Sequence, residues 1–218
     1  MQKPNLWRSS SGDCIKSFLT VACFCFFIPV LQAQKLNPEV QVLVNMMENR
    51  HENATAFYQK ISDATDLAGV VVPLSIVATG IAMHDKITIQ KGLYILESVA
   101  ASTLITCCLK YSIKRQRPFQ VHPLIVPAST GGSPSFPSGH TSEAFATATS
   151  LTLSFRKWYV AVPAYAWAAT VGYSRMYLGV HYPSDVLAGA IVGAGSAWLM
   201  YKANKCLFKK KPDFKTQF

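Results

Sequence analysis

The chain has 218 residues, enough for one domain with a sizeable core but scarcely for two. Half of the residues are hydrophobic and only 15% are charged, against roughly 25% in an average soluble domain. The net charge of +10 is not arranged as a basic stripe interleaved with aromatic residues, which argues against nucleic acid and leaves an anionic lipid or substrate. No Cys-x-x-Cys pair is present, so the spacing expected of a zinc site is absent.

Residues 1–33 combine a basic start with a short apolar run from Phe18 to Leu31, followed by a small residue, Ala33. This pattern predicts a signal peptide, and an uncleaved first transmembrane helix is the alternative, for which the run is short. Residues 34–64 are polar and charged, and a weak helical period predicts a surface or interfacial helical segment. The apolar positions of that period are Val42, Val44, Met47 and Tyr58.

Five apolar segments follow, and none shows the alternation or the Asn-Gly turns of β-hairpins. We therefore expect an all-α helical bundle at residues 65–203, with a basic cytoplasmic tail at 204–218. A membrane bundle of five to six transmembrane helices is predicted, the number depending on whether the first apolar run is retained. The segments are Leu67 to Met83, with Pro73 as a kink, Gly92 to Leu109, Ser142 to Phe155, Val160 to Tyr173, and Val186 to Tyr201.

The placement of charge favours a membrane bundle over a soluble one. If the first apolar run takes the chain out of the cytoplasm, three basic regions face inward: residues 85–91, 156–157 and the Lys202–Lys215 tail. This agrees with the positive-inside rule at each inner turn. The same threading brings residues 110–140 and 174–185 together on the outside. A soluble bundle remains the alternative, because the helix after Ser142 is rich in Ser and Thr and several helices are short for a span.

The first cluster of reactive side chains runs from Lys110 to Arg117 and Pro118. Lys110 and Arg117 are seven residues apart, so on a continued helix they would share a face. Pro118 disfavours helix at the residue before it, which makes this region a natural helix exit. Cations are also favoured at a helix C-terminus by the dipole, so juxtamembrane capping is the structural alternative.

The second cluster is Pro137-Ser138-Gly139-His140, followed by an apolar run. Pro137 and Gly139 predict a rigid turn, and Ser138 is suited to cap the helix that follows. The free N–H groups of a helix start form an anion site. His140, one residue inside the helix, is placed to donate a proton to a bound anion. The alternative is an ordinary loop with a surface histidine.

The third cluster contains Arg175, His181, Pro183 and Asp185. Pro183 suits the first turn of a helix, which puts His181 just outside it and within reach of Asp185. A carboxylate bonded to one imidazole nitrogen leaves the other nitrogen free to attack. Arg175 offers a bidentate fork to phosphate oxygens. An arginine–aspartate bridge between helices is the alternative for this cluster alone.

The three clusters together favour chemistry over these alternatives. They supply cations, two histidines, an aspartate and a helix start on one side of the predicted bundle. Phosphoryl transfer requires this collection: charge to neutralise the equatorial oxygens, a nucleophile, and an acid for the leaving group.

The order and spacing of the clusters resemble the three-part signature of the type 2 phosphatidic acid phosphatase superfamily over roughly residues 65–203. That signature is Lys-x6-Arg-Pro, then Pro-Ser-Gly-His, then Ser-Arg-x5-His-x3-Asp, and every position is matched here. The resemblance implies a phosphoric monoester or diphosphate hydrolase that needs neither a metal nor another cofactor.

The resemblance also implies a role for each residue. His181 is the nucleophile and forms a phosphohistidine, Asp185 orients it, and His140 protonates the leaving alcohol and then activates water. The phosphate is held by Lys110, Arg117, Ser138, Gly139 and Arg175. A lipid phosphate or polyprenyl pyrophosphate is the expected substrate, at the periplasmic side of a bacterial inner membrane.

Three other functions stay open at this stage. A soluble periplasmic acid phosphatase could use the same residues, and the mean hydropathy of +0.20 is compatible with it. A vanadium haloperoxidase holds vanadate in an equivalent pocket. A non-catalytic membrane protein with a relic site belongs to a different class, and complete occupation of the signature positions argues against it.

Overall fold

The structure is a computed structural model that describes residues 37–207. Within this range the chain forms α-helices and no β-strand, which confirms the all-α prediction. The predicted signal or first transmembrane helix lies outside the described residues, as does most of the basic tail. In chain order the helices are α1 (Asn37–Glu48), α2 (Glu52–Ala82), α3 (Lys86–Ile113), α4 (Pro118–Val121), α5 (Gly139–Phe155), α6 (Trp158–Tyr177) and α7 (Pro183–Leu207).

Helix α5 is the centre of the bundle and packs against α2, α3, α6 and α7. Its contact with α7 is close because α7 presents glycines there. A Cβ added to Gly193 would lie 2.1 Å from the Ser142 carbonyl oxygen, and one added to Gly189 would lie 2.6 Å from that of Ser138. Two helix backbones approach this closely only when small residues separate them. The approach brings the start of α5 against the start of α7.

The hydroxyl-rich face of α5 is turned into the bundle. The Ser142 hydroxyl is hydrogen-bonded to the Thr106 hydroxyl at 2.7 Å and to the Ser102 hydroxyl, both on α3. Ser150 donates back to the Ala146 carbonyl of its own helix. Such contacts are typical of interfaces between membrane helices. The Ser and Thr content of α5, which left a soluble bundle as an alternative, therefore reflects helix packing rather than a solvated face.

Among residues 37–207, three helical stretches are long and apolar enough to cross a membrane: Glu52–Ala82, Lys86–Val121 and Pro183–Leu207. The outward face of α2 exposes a run of large apolar side chains that water would not favour. They are Leu67, Val70, Val71, Leu74 and Ile81, each between 49% and 66% exposed. Four of the five predicted apolar segments fall within helices, and the fifth, Leu67 to Met83, runs one residue past the end of α2, which contains Pro73. The number of spans, five to six, stays a prediction.

The polar segment expected at residues 34–64 is divided between two helices. Helix α1 ends at Glu48, and α2 begins at Glu52 and runs across residue 64 without a break. Val44 and Met47 of the predicted helical period pack against the buried cluster beside α1. Val42 is instead 41% exposed, and Leu43 is the fully buried residue at this place in the helix. Leu43 packs against Ile125 and Tyr182, which anchors α1 to the loops beside α4 and α7.

Candidate active site

A cavity of about 330 Å³ opens at the end of the bundle where α3 and α6 end and α5 and α7 begin. It brings together residues from all three sequence clusters. Ser138 and Asp185 are fully buried behind its wall. The predicted site residues that line the cavity are Lys110, Arg117, Gly139, His140, Arg175 and His181.

His181 and Asp185 form the pair that the sequence predicts. Helix α7 begins at Pro183, so Asp185 lies in its first turn and His181 lies in the preceding loop. The His181 Nδ1 is 3.5 Å from the Asp185 Oδ2, which leaves the Nε2 for the cavity. Burial lowers the pKa of His181 to about 3, although the hydrogen bond that its Nδ1–H donates to Asp185 acts to raise this pKa. The imidazole is therefore neutral near neutral pH, the form that can attack phosphorus.

Asp185 is held by more donors than the sequence indicates. Its Oδ2 accepts a hydrogen bond from the Ser135 hydroxyl and another from the Tyr182 N–H at 2.9 Å. Its Oδ1 accepts a 2.7 Å hydrogen bond from the Arg115 Nη1. Both oxygens of a fully buried carboxylate are thus occupied. The orientation of Asp185, and through it that of His181, is fixed by its surroundings.

Two cations of the first cluster are held by backbone carbonyls. The Lys110 Nζ donates to the Pro134 carbonyl at 2.6 Å. The Arg117 Nε donates to the Ser133 carbonyl at 2.9 Å, and its Nη1 donates to the Val180 carbonyl at 3.2 Å. Carbonyl oxygens orient these side chains without neutralising their charge. Both positive charges stay available to a ligand in the cavity.

Arg175 completes the group of cations. Its Nη1 donates to the hydroxyl of Ser62, a fully buried residue of α2, and its Nε is buried with no hydrogen-bond partner. Among the described residues, none of Lys110, Arg117 and Arg175 forms an ion pair with a carboxylate. Three largely buried cations without counter-ions are costly in a protein interior. They fit a multiply charged anion such as a phosphoryl group.

The chain path between Lys110 and Arg117 differs from the simplest expectation. Helix α3 ends at Ile113, and Lys114 adopts a left-handed conformation with φ of 51°. The shared helix face suggested by the seven-residue spacing therefore does not form. Arg117 instead occupies the N-cap position of α4, directly before Pro118. The predicted helix exit occurs four residues earlier than Arg117, and the two cations reach the cavity from different elements.

Ser138 occupies the N-cap position of α5, as predicted, but its side chain does not form the expected capping hydrogen bond. Its hydroxyl accepts a hydrogen bond from the Thr141 hydroxyl at 2.9 Å, and its N–H donates to the Asp185 carbonyl at 3.0 Å. Gly139 and His140 are the first residues of α5 and line the cavity. N–H groups in a first helical turn have no intrahelical acceptor, so this helix start suits an anion.

Helices α2, α3 and α5 contribute cavity residues that the sequence analysis did not assign to the site. Asp66 lines the cavity with its Oδ1 3.7 Å from the His140 Nε2, and Glu143 lines the same side. Nothing in the sequence around Asp66 distinguishes it from a surface residue. Thr103 and Thr106 also line the cavity. Thr103 and Thr106 lie seven and four residues before Lys110 on an apolar helix. This spacing indicates from the sequence alone that they lie on the same helix face as Lys110.

The comparisons with known proteins agree with this geometry. A family profile described as "PAP2 superfamily" matches residues 91–208, which is more than half of the chain. The chain therefore belongs to the PAP2 superfamily, whose signature the sequence resembles.

Two curated relatives indicate the range of proteins that this chain is similar to. It is 44% identical over 77 residues to the lipid A 4'-phosphatase of Bacteroides thetaiotaomicron, an alignment covering 35% of this chain and 34% of the relative. It is 33% identical over 124 residues to an undecaprenyl-diphosphatase of Sulfolobus acidocaldarius, covering 56% of this chain and 59% of the relative. The chain spans between 34% and 55% of the first four curated relatives it matches.

The fold is also found in a solved membrane protein. The transmembrane PAP2-type phosphatidylglycerolphosphate phosphatase of Bacillus subtilis superposes with a TM-score of 0.64. The match covers 94% of this chain and 99% of that structure at 23% sequence identity. Together with the apolar helices, this likeness identifies the fold as a polytopic helical membrane bundle.

Proposed function

We propose that the chain is a metal-independent phosphatase that hydrolyses a lipid phosphate or a polyprenyl pyrophosphate through a phosphohistidine intermediate. The observation that carries this proposal is a group of three cations, Lys110, Arg117 and Arg175, that form no ion pair with a carboxylate among residues 37–207. They lie on the wall of a cavity that also holds the neutral His181. A bound phosphoryl group supplies the missing negative charge and meets the nucleophile at the same place.

In the first step the His181 Nε2 attacks phosphorus, and the bond from phosphorus to the leaving oxygen breaks. The cations neutralise the equatorial oxygens as charge shifts to the leaving group. His140, on the same cavity wall, gives the leaving oxygen its proton. The product is a lipid alcohol, or a lipid phosphate when the substrate is a pyrophosphate.

In the second step water attacks the phosphohistidine. His140, now without its proton, takes one from that water, and the nitrogen–phosphorus bond breaks to release inorganic phosphate. His181 returns to its neutral form, and Asp185 holds the same ring orientation throughout through the Nδ1. Each step is thus served by groups already present in the chain.

The proposed substrate class follows from the setting of the cavity and from the relatives. The cavity opens at one end of membrane-capable helices, where a headgroup phosphate lies when its acyl or prenyl chain stays in the bilayer. Relatives named as phosphatases of lipid A and of undecaprenyl diphosphate support this class.

The proposed location is the inner membrane of a bacterium, with the cavity facing the periplasm. Basic residues collect at the opposite end of the bundle, at the start of α3, between α5 and α6, and at the end of α7. The positive-inside rule assigns that end to the cytoplasm. These residues are Lys86, Lys91, Arg156, Lys157, Lys202 and Lys205.

The test is phosphate release from lipid A, undecaprenyl pyrophosphate and phosphatidic acid by detergent-purified protein in EDTA. We expect release by the wild type and a loss of about 10⁴-fold or more in the His181→Ala variant. Protein denatured under alkaline conditions should carry phosphate that is stable in alkali and labile in acid only when His181 is present.

Each contrary outcome points to a named alternative. Activity on soluble esters alone would indicate an acid phosphatase without a lipid substrate. Halide oxidation that requires vanadate would indicate a haloperoxidase. Unchanged turnover in His181→Ala, or no turnover on any substrate, would overturn the proposal.

A further inference from the structure

A hydrogen-bonded network extends from Asp185 to the first helix of the described chain. The Arg115 Nη1 donates to the Asp185 Oδ1 and to the Ser184 hydroxyl, each at 2.7 Å. Its Nη2 donates to the Glu39 Oε2 at 2.9 Å. The Glu39 Oε1 accepts the Ser184 N–H, also at 2.9 Å. Glu39 thus contacts both the arginine that holds Asp185 and the helix start on which Asp185 lies.

The position of Glu39 is determined by packing rather than by a loose surface contact. Glu39 lies in the first turn of α1, whose apolar face is anchored through Leu43 to Ile125 and Tyr182. The Arg115 guanidinium lies over the Tyr182 ring, 4.0 Å from its centroid. An arginine stacked on a ring and bonded on two edges has little freedom to turn away. Helix α1 precedes residues 91–208, which the family profile matches.

The ion pair between Glu39 and Arg115 is largely removed from water. Their side chains are 15% and 21% exposed, and that of Asp185 is not exposed at all. Screening by solvent is weak under these conditions, so a change of one charge is felt by the neighbouring groups. This separates the pair from an ordinary surface salt bridge, which contributes little.

We call the three residues of this network the support triad: Glu39, Arg115 and Asp185. Their charges add up to minus one. Without Glu39 the sum is zero, because Arg115 cancels the charge of Asp185. When the His181 Nε2 bonds to phosphorus while its Nδ1 keeps a proton, the ring becomes positively charged. A negative support triad stabilises that positive ring, and a neutral one does so less.

We infer that Glu39 is a positioning residue for the phosphohistidine reaction, holding Arg115 on Asp185 and keeping the charge behind His181 negative. The inference rests on the proposed phosphatase function. It assigns to α1 a part in catalysis and not only in folding. Because Glu39 does not line the cavity, it acts on His181 through the support triad and not on the bound phosphate.

The test compares Glu39→Gln with Glu48→Gln in the full-length, detergent-purified protein. Glutamine keeps the length of the side chain and one acceptor oxygen but removes the charge. Glu48 is exposed at the end of the same helix and makes no hydrogen bond or ion pair within residues 37–207, so its variant is the matched control. The measurements are kcat and KM per folded molecule, the rate of phosphohistidine formation, and the thermal unfolding temperature.

We expect Glu39→Gln to lower kcat and the rate of phosphohistidine formation by roughly tenfold, as removal of a supporting carboxylate does elsewhere. The KM should stay within about twofold of wild type, because no cavity residue changes. Glu48→Gln should match wild type in every measurement. Glu39→Asp keeps the charge and should recover part of the lost kcat.

A purely structural part for Glu39 predicts a different result. The unfolding temperature and the yield would fall, while kcat per folded molecule and the rate of phosphohistidine formation would equal those of wild type. That outcome would overturn the inference. It is distinguishable from failure of the proposed function, in which His181→Ala would retain turnover or the wild type would have none.

Discussion

The two regions on either side of His181 differ in whether their charged groups are paired. On the cavity side, Lys110, Arg117 and Arg175 are held by carbonyl and hydroxyl oxygens and have no carboxylate partner among the described residues. On the far side, Asp185 is fully buried and every oxygen of its carboxylate is occupied. The first region keeps its charge for a ligand, and the second uses its charge to hold one ring.

This difference separates binding from orientation. Unpaired buried cations reduce the stability of the empty protein, and a bound phosphoryl group offsets that cost. A carboxylate with all its acceptor positions occupied instead contributes to stability while it fixes the His181 ring. Substitutions in the two regions should therefore affect activity in the same direction and stability in opposite directions.

The largest effect is expected from Asp185→Asn. The amide cannot stabilise a positive His181 ring, and its NH₂ faces donors, so kcat should fall by roughly 10³- to 10⁴-fold. Arg115 loses a buried charge partner, and the free energy of unfolding should fall by about 3 kcal/mol. Phosphate-release kinetics and thermal unfolding in detergent measure the two effects. If Asp185→Asn loses activity but keeps the wild-type free energy of unfolding, the contacts of Asp185 do not stabilise the fold, and the comparison fails.

An intermediate effect on activity, with the opposite effect on stability, is expected from Arg175→Met. Loss of one oxyanion-stabilising donor group should lower kcat/KM by roughly 10²- to 10³-fold. Replacing a buried unpaired cation by an apolar side chain should leave stability unchanged or raise it by about 1–2 kcal/mol.

The control for Arg175→Met is Lys157→Met, which removes one positive charge at an exposed position at the other end of the bundle. This control should match wild type in activity and in unfolding temperature. Inorganic phosphate should raise the unfolding temperature of the wild type and of the control but not that of Arg175→Met. A strongly destabilised Arg175→Met would mean that its charge is already compensated in the empty protein.

The smallest effect is expected from Ser135→Ala, which removes one of the donors to Asp185 but leaves Tyr182 and Arg115 in place. We expect kcat to fall by about fivefold, in line with the loss of roughly one hydrogen bond. Ser112→Ala is the matched control, because that exposed hydroxyl donates only to the Cys108 carbonyl of its own helix. A decrease in kcat as large as that of Asp185→Asn would contradict this expectation. It would mean that Ser135 does more than donate one of several hydrogen bonds to Asp185.

The sequence predicted which residues lie together at the cavity better than the path of the chain through it. The relation between His181 and Asp185 could be predicted because a proline-started helix places residues four apart within reach of each other. The end of α3 at Ile113 could not be predicted, because the helix propensity of residues 110–117 does not exclude another helical turn. The capping bond expected of Ser138 failed because Thr141 competes for its hydroxyl.

Residues contributed by the first two helices were out of reach of sequence reasoning. Ser62 and Asp66 look like ordinary polar residues in the N-terminal half of α2, and Glu39 looks like a typical acidic residue in a first helical turn. Their contacts lie 74 or more positions away along the chain, as with the 145 positions between Glu39 and Ser184. No local sequence pattern predicts a contact between residues so far apart in the chain.

The sequence by itself determined the helical class, the apolar segments and the three clusters of polar residues that meet at the cavity. These depend on local spacing and on the identity of side chains, which the chain order states directly. Only the tertiary structure decided which cations lack counter-ions, which donors hold Asp185 and how α1 joins the site. Those features depend on the packing of α5 against α7 and of α1 against the loop before α7, where contact follows from shape and burial rather than from position in the chain.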